Sequence, residues 1–312
     1  MAPIRTGDII TSWTFDLPAV ALMCAAALAY LIGVRRVRGS GGSWPWWRTV
    51  LFIIVGLGSL AWVVDGVLGV YNRTLFWAFG VQVTLLVSIV PVALAAGDPI
   101  GLVRASRSPR ADGSPNVFGR VLRVLTYPFV GPLLVLASLM AVLFSRYLHA
   151  ALTHTWVMDV LYLHLLVVGL LAVLPLLGAD EVLPAWCTDP MKMVVACVDG
   201  LLDAVPGICA LTAGSPLGHG YYASLDRGWG PNPLHDTHLG GGLMLSVAEV
   251  VGIPMILMIF FGWARNDIRH ATVVDAELEA ERPTRTAPGV AQPPPLERPW
   301  WESDPRFRNP RS

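Results

Sequence analysis

Seven long apolar runs dominate the hydrophobic pattern of this chain. They cover roughly residues 17–34, 49–68, 76–97, 127–145, 156–177, 191–212 and 240–263. A helix needs about 17–25 apolar residues to cross a bilayer, and every run reaches that length. The pattern therefore predicts an all-α, polytopic membrane protein with seven transmembrane helices.

The arginines predict how these helices are oriented. They concentrate between the first and second runs, between the third and fourth, and directly after the seventh. Basic residues are enriched in the cytoplasmic segments of membrane proteins. We therefore expect an outside N-terminus and a cytoplasmic C-terminus, in the inner (plasma) membrane of the cell. The acidic segment between the fifth and sixth runs neither supports nor opposes this orientation.

The chain changes character after residue 269. Residues 1–269 hold all seven runs, whereas residues 270–312 are charged and rich in proline, with little apolar surface to bury. Such a composition is typical of disorder. We expect a disordered cytoplasmic tail that begins with a short extension of the last helix. The segment "PPPLERPWW" is a candidate docking peptide for a partner, although an unstructured tail is the favoured interpretation.

Composition supports the membrane assignment and excludes several other classes. The chain is 54% hydrophobic and 14% charged, against about 25% charged in soluble proteins. Its formal net charge of zero gives no reason to expect a nucleic-acid partner. The four cysteines form no CxxC pair. We find no phosphate-binding loop, HExxH motif or nucleophile elbow, so we do not expect an enzyme.

Several ionisable residues fall inside the apolar runs. The stretch "CVDGLLDAVPGIC" (197–209) carries Asp199 and Asp203 one helical turn apart, His164 lies in the fifth run, and Glu249 lies in the seventh. A rise of about 1.5 Å per residue places His164, Asp203 and Glu249 at one depth, with Asp199 a turn deeper. Charged groups in a membrane face the protein interior and have partners. We expect one buried polar cluster, which serves either metal, proton or cofactor handling or helix packing.

The histidines and sulfur residues raise the question of copper. Under the expected orientation, six of the seven histidines lie outside the membrane or in its outer half, and several Met and Cys residues follow them. Imidazole, thioether and thiolate are ligands that copper(I) prefers. The speculative outer site consists of Met158, His164, Cys209, His235, Asp236 and His238. Packing methionines and solvated histidines are the favoured alternative, because no HxH spacing is present and methionines in helices are usually packing residues.

Four stretches together resemble a known family. They are "YLIGVRRVRGSGGSWPWWRTVLF" (30–52), "YLHLLVVGLLAVLPLLGAD" (162–180), "SLDRGWGPNPLHDTHLGGGLMLSVAEV" (224–250) and "GWARNDIR" (262–269). In order and spacing they resemble the CtaG-type (caa3-type) cytochrome c oxidase assembly proteins over roughly residues 20–270. The resemblance implies a seven-helix membrane protein that assists assembly of haem–copper oxidases, with oxidase or respiratory-complex subunits as partners and copper handling at the outer side.

The chain also departs from the pattern that the resemblance implies. Where relatives carry a histidine pair in the third helix it has Phe79 and Val83, and Tyr162 stands at the first position of an H-x-H in the fifth. Asp203 occupies a further histidine position, whereas Asp236, Gly240–Gly242 and Glu249 match. One alternative is therefore a non-catalytic accessory subunit that keeps the scaffold without the metal site. A transporter is disfavoured, because seven spans do not divide into two equal repeats.

Overall fold

The computed structural model describes residues 11–106, 127, 129–177 and 189–285. Within these ranges the chain is helical and contains no strand, which confirms the predicted all-α class. The helices are α1 Leu17–Gly39, α2 Trp46–Tyr71, α3 Phe76–Ala96, α4 Pro99–Ser106, α5 Val130–Phe144, α6 Arg146–Thr153, α7 Thr155–Leu177, α8 Asp189–Leu211, α9 Tyr221–Ser224 and α10 Pro233–Arg285.

Five of these helices are long and apolar enough to cross a membrane. They are α1, α2, α3, the segment Thr155–Val173 of α7 and the segment Met193–Leu211 of α8. Helices α5 and α6 are joined at a bend of 68° and make a sixth span if the pair is counted as one. The chain is therefore a membrane protein with five or six candidate spans in its described part. The count of seven and the orientation stay predictions.

Helix α10 extends well beyond the seventh apolar run. The chain divides into two compact units, Met1–Phe260 and Phe261–Ser312, and α10 begins in the first and ends in the second. Residues 270–285 of the expected tail are helical, as a continuation of α10. The disorder and the docking peptide predicted further along the tail concern residues 286–312, which lie outside the described part.

Helix α3 is the central element of the first unit. In its most apolar window 78% of the residues are buried, against 11% for α1, because α3 packs against both α2 and α7. Phe76, Phe79 and Val83 on its first half are fully buried. The helix is interrupted at Ser88, where the backbone departs from helical geometry. Proline has no amide hydrogen, so Pro91 cannot donate the usual helical hydrogen bond to the backbone carbonyl of Val87.

Helices α1 and α2 are joined to the end of α3 by a group of polar and aromatic side chains. The Tyr30 hydroxyl donates to the carbonyl of Gly97 (2.7 Å), and the Trp44 indole N–H donates to the Tyr30 hydroxyl (3.2 Å). Arg48 forms an ion pair with Asp98 (2.6 Å), and its guanidinium lies over the Trp44 ring. Three of these residues (Tyr30, Trp44 and Arg48) belong to the stretch 30–52, which therefore has a structural role in joining helices.

The glycine run at the start of α10 allows two neighbouring helices to approach closely. A β-carbon at Gly240 would lie 2.6 Å from Cδ1 of Phe76 on α3, and one at Gly241 would lie 2.6 Å from the carbonyl oxygen of Gly207 on α8. A β-carbon at Gly242 would meet only a side-chain atom of Leu211, at 3.9 Å. The first two glycines are therefore required by packing, and the third is not.

Replacing Gly241 by alanine is expected to lower the free energy of unfolding by about 1–3 kcal/mol, since the added methyl group meets backbone atoms that cannot move aside. Thermal or denaturant unfolding of the purified protein in detergent measures this effect. Gly242→Ala is the matched control and should leave stability nearly unchanged. Equal stability of the two variants would contradict this account of the packing of α10 against α8.

Candidate functional site

Asp236 lies in the first turn of α10, and its side chain is fully buried. Its carboxylate accepts hydrogen bonds from the backbone N–H groups of Phe76 (2.9 Å) and Trp77 (3.2 Å), the first two residues of α3. The first amides of a helix have no acceptor within that helix, and the helix dipole favours an anion there. Asp236 therefore caps a helix that lies 159 residues away along the chain. We call this contact the Asp236 cap.

Arg227 supplies the counter-charge to this buried carboxylate. Its Nη2 donates to Oδ2 of Asp236 (3.2 Å) and to the carbonyl of Pro231 (3.4 Å). The Arg227 side chain is only 7% exposed, and that of Asp236 is 0% exposed. Removing one partner of such a buried pair leaves the other charge without compensation. The ion pair therefore fastens the segment before α10 to the first turn of α10, whose carboxylate also bonds the start of α3.

A second polar group lies directly beside the Asp236 cap. Tyr222 is fully buried, its hydroxyl donates to the backbone carbonyl of Asn72 (2.6 Å), and its ring packs edge-on against Phe76. Burial is the largest influence on the Tyr222 hydroxyl and raises its pKa well above the usual value, so the hydroxyl stays protonated as a donor. The short helix α9 is held in this way against the turn between α2 and α3.

Asn72 continues this hydrogen bonding into the helix bundle. Its side-chain amide donates to Oε1 of Gln82 (2.8 Å) and to the Tyr162 hydroxyl (2.7 Å). Gln82 in turn donates to the backbone carbonyl of Val63 (2.8 Å). We call Asn72, Gln82, Tyr162 and Tyr222 the Asn72 network. It connects α2, α3, α7 and α9, and buried hydrogen bonds of this kind favour a single arrangement of helices.

The structure places the predicted intramembrane cluster in separate locations. His164 lies within hydrogen-bonding distance of the Ser138 hydroxyl (3.1 Å), and its ring stacks on Tyr147. Asp199 and Asp203 line a small cavity with Ala172 and Val173 of α7. Those two residues follow His164 by eight and nine positions, or about 12 Å along the helix. Glu249 is exposed on α10, although its neighbour Ala248 lines the same cavity as Asp203. Asp203 and Glu249 therefore lie near one depth, whereas His164 lies away from them along α7, and the three side chains do not meet in one cluster.

The residues proposed for copper are likewise engaged in separate contacts. His235 is exposed, His238 lies 2.8 Å from the carbonyl oxygen of Ala213 through Nε2, and Asp236 bonds the start of α3. Met158 is buried in the apolar core, and Cys209 is a half-buried free thiol. Among the described residues, no group of three or more His, Cys, Asp and Glu side chains is placed to hold a metal. These residues do not fit a copper(I) site.

The sequence interpretation missed Arg227 and the Asn72 network as structural elements. Asn72 and Gln82 are uncharged, so a search for ionisable groups within the apolar runs passes over them. Gln82 nevertheless interrupts the third run, and an amide within an apolar span needs a partner. The resemblance assigns histidines of relatives to Phe79, Val83 and Tyr162. The first two are fully buried apolar side chains here, and the third belongs to the Asn72 network.

A comparison with protein-family models gives a match to the cytochrome c oxidase caa3 assembly factor model (Caa3_CtaG) over residues 28–266. The match includes the Asp236 cap, the Asn72 network and the group around Arg48 and Asp98. No solved structure matches the chain.

Three curated relatives are mycobacterial. Uncharacterized protein Mb0105 of Mycobacterium bovis and Uncharacterized protein MT0111 of Mycobacterium tuberculosis are each 27% identical over 294 residues, which is 89% of this chain and 43% of the relative. Uncharacterized protein ML1998 of Mycobacterium leprae is 25% identical over 285 residues, which is 86% of this chain and 42% of the relative. The chain thus spans less than half the length of these relatives.

Removing the carboxylate by Asp236→Ala is expected to lower the free energy of unfolding by about 3–5 kcal/mol, because it leaves Arg227 buried without its counter-charge and the first amides of α3 without an acceptor. Asp226→Asn removes an exposed carboxylate one residue from Arg227 and should have little effect. Chemical denaturation in detergent measures both. A loss for Asp236→Ala no greater than that for Asp226→Asn would contradict the cap.

Proposed function

The chain belongs to the cytochrome c oxidase caa3 assembly factor (Caa3_CtaG) family, and from this premise we propose that it is a membrane-embedded scaffold for oxidase assembly. The observation that carries the proposal is the family match over residues 28–266, which takes in all the candidate membrane spans of the described residues except the first part of α1. We place the protein in the membrane where the oxidase is built, the plasma membrane of the cell. Its partners are oxidase subunits before they reach their final complex.

A scaffold role is consistent with how the polar side chains are used. The hydrogen bonds described above join segments of this chain to one another. They involve Asp236, Arg227 and the Asn72 network. A catalytic group needs a nucleophile and a base, or a bound cofactor, directed at one reacting atom. These contacts hold helices instead, which supports a protein that binds and positions its partners without catalysing a reaction.

The surface of the described helices suits a partner that is itself embedded in lipid. Large apolar side chains are exposed along several spans, including Leu28 on α1, Ile54 on α2 and Leu201 on α8. Lipid tails cover such side chains as readily as another protein does. Association with an oxidase subunit in the membrane therefore relies on shape and hydrogen bonding, and a rigid framework of helices preserves the shape that is recognised.

Copper handling is the competing function within the same family setting. It requires soft donors that converge on one ion, and the described His, Met and Cys residues are distributed among separate contacts. We therefore assign no step of the proposed function to copper. An accessory subunit that stays in the finished oxidase is the second competing function, and it differs from an assembly factor in when it leaves its partner.

A variant lacking His164, His235 and His238 (all three replaced by alanine) is expected to support oxidase assembly as well as the wild type, since the scaffold keeps its cap and its network. The assay deletes the gene, restores it as wild type or variant, and measures the haem a absorbance of isolated membranes. His154→Ala, which changes an exposed histidine, is the control for ordinary loss of expression. Loss of assembled oxidase in the triple variant alone would contradict the scaffold proposal.

Two measurements on the same strains separate the competing functions. Affinity purification of the tagged chain in mild detergent, followed by mass spectrometry, should recover oxidase subunits at less than one per chain and only while assembly proceeds. Stoichiometric recovery with the active oxidase would identify an accessory subunit instead. Titration of the purified protein with copper(I) against a chromophoric chelator should give equal binding for wild type and triple variant, whereas a copper donor would lose a binding site.

A further inference from the structure

A small cavity lies among five helices of the first unit. Asp199 and Asp203 of α8 form one wall, Ser88 and Val87 of α3 form another, and α5, α7 and α10 complete the enclosure. Its volume is about 20 Å³. A cavity of about 10–15 Å³ is enough for one water molecule, so this one has room for a single occupant of that size.

Each of the two carboxylates has one oxygen atom that receives no hydrogen bond from the described part of the protein. Asp199 is 7% exposed, and the Oδ1 atoms of both Asp199 and Asp203 are buried without a hydrogen-bond partner in the described part of the chain. Ionised carboxylates one turn apart repel each other, and their removal from water is unfavourable unless a positive charge accompanies them. The described side chains that line the cavity are otherwise uncharged. A small cation is the occupant that satisfies both oxygens.

One further oxygen atom is available at the opposite wall. The Ser88 hydroxyl donates its hydrogen to the carbonyl of Thr84 (2.7 Å), which leaves the oxygen lone pairs free to accept a cation. Ser88 lines the cavity and lies at the break in α3. The break therefore contributes a ligand as well as a change of direction.

The chemistry of the lining decides which cation fits. All of the polar atoms are oxygens, which suit hard cations and are poor ligands for copper(I). Calcium takes six to eight oxygen ligands, and magnesium usually keeps several of its waters; the described lining offers only three polar side chains, and the cavity has room for one water-sized occupant. We propose that Asp199, Asp203 and Ser88 bind one dehydrated sodium ion within the membrane domain, with one proton retained by the pair of carboxyl groups so that the site is neutral. This proposal is independent of the assembly function.

Sodium is expected to stabilise the purified full-length protein. Replacing choline chloride by sodium chloride at constant ionic strength should raise the melting temperature in detergent by about 5 °C at saturation, and potassium chloride should raise it less. Calorimetric titration of the wild type with sodium should show one site per chain. Asp199→Asn and Asp203→Asn should lose both responses, whereas Glu249→Gln, which changes an exposed carboxylate on α10, should retain them.

Several results would overturn the sodium site. One is a wild-type protein that melts at the same temperature in choline, potassium and sodium, with no heat of sodium binding. Another is a sodium response of equal size in wild type, Asp199→Asn and Asp203→Asn. A third is a sodium response that appears only in Lys192→Gln, since this would show that the lysine, which lies seven residues before Asp199 in the sequence, supplies the positive charge in the wild type.

Discussion

The first amides of α3 have no acceptor within their own helix, and Asp236 supplies one from the start of α10. The carboxylate is fully buried, so it depends in turn on Arg227 for its counter-charge. This pair therefore joins the segment at the start of α10 to the start of α3, which is far from it in the sequence. Because α3 is the most buried of the five single-helix spans in the described part of the chain and packs against α2 and α7, its starting position sets the position of its neighbours. The glycines that follow Asp236 allow α10 to approach α3 and α8 closely enough for the carboxylate to reach.

The same region shows what stands at the three positions where the resemblance implies histidines. Phe79 and Val83 fill the core of α3 with apolar side chains, and Tyr162 bonds Asn72 of the neighbouring turn. Each replacement either packs or finds a hydrogen-bond partner, so no unpaired polar group remains at those three positions. The chain belongs to the caa3 assembly factor family, and in the scaffold role that we propose this framework presents a rigid surface to oxidase subunits in the membrane.

Hydrophobic pattern and length were enough to predict an all-helical membrane protein, because only apolar helices of this length satisfy their backbone in lipid. The glycine run and Asp236 were recognised as family features, but their physical role required the structure, since Asp236 acts on a helix 159 residues away. The depth of Asp203 relative to His164 was misjudged because counting residues from the end of each run ignores how α7 and α8 are shifted along each other. Asn72 and Gln82 were missed because an uncharged amide gives little signal in a hydropathy pattern.

The Asp236 cap is the claim on which this description of the fold depends, and amide hydrogen exchange tests it most directly. Exchange at the N-terminus of α3, read by mass spectrometry from peptides that contain Phe76 and Trp77, reports whether those amides are bonded. The account predicts slow exchange there in the wild type, comparable with the middle of α3, and much faster exchange in Asp236→Asn with little change at the distant end of α1. Fast exchange at Phe76 and Trp77 in the wild type would contradict it.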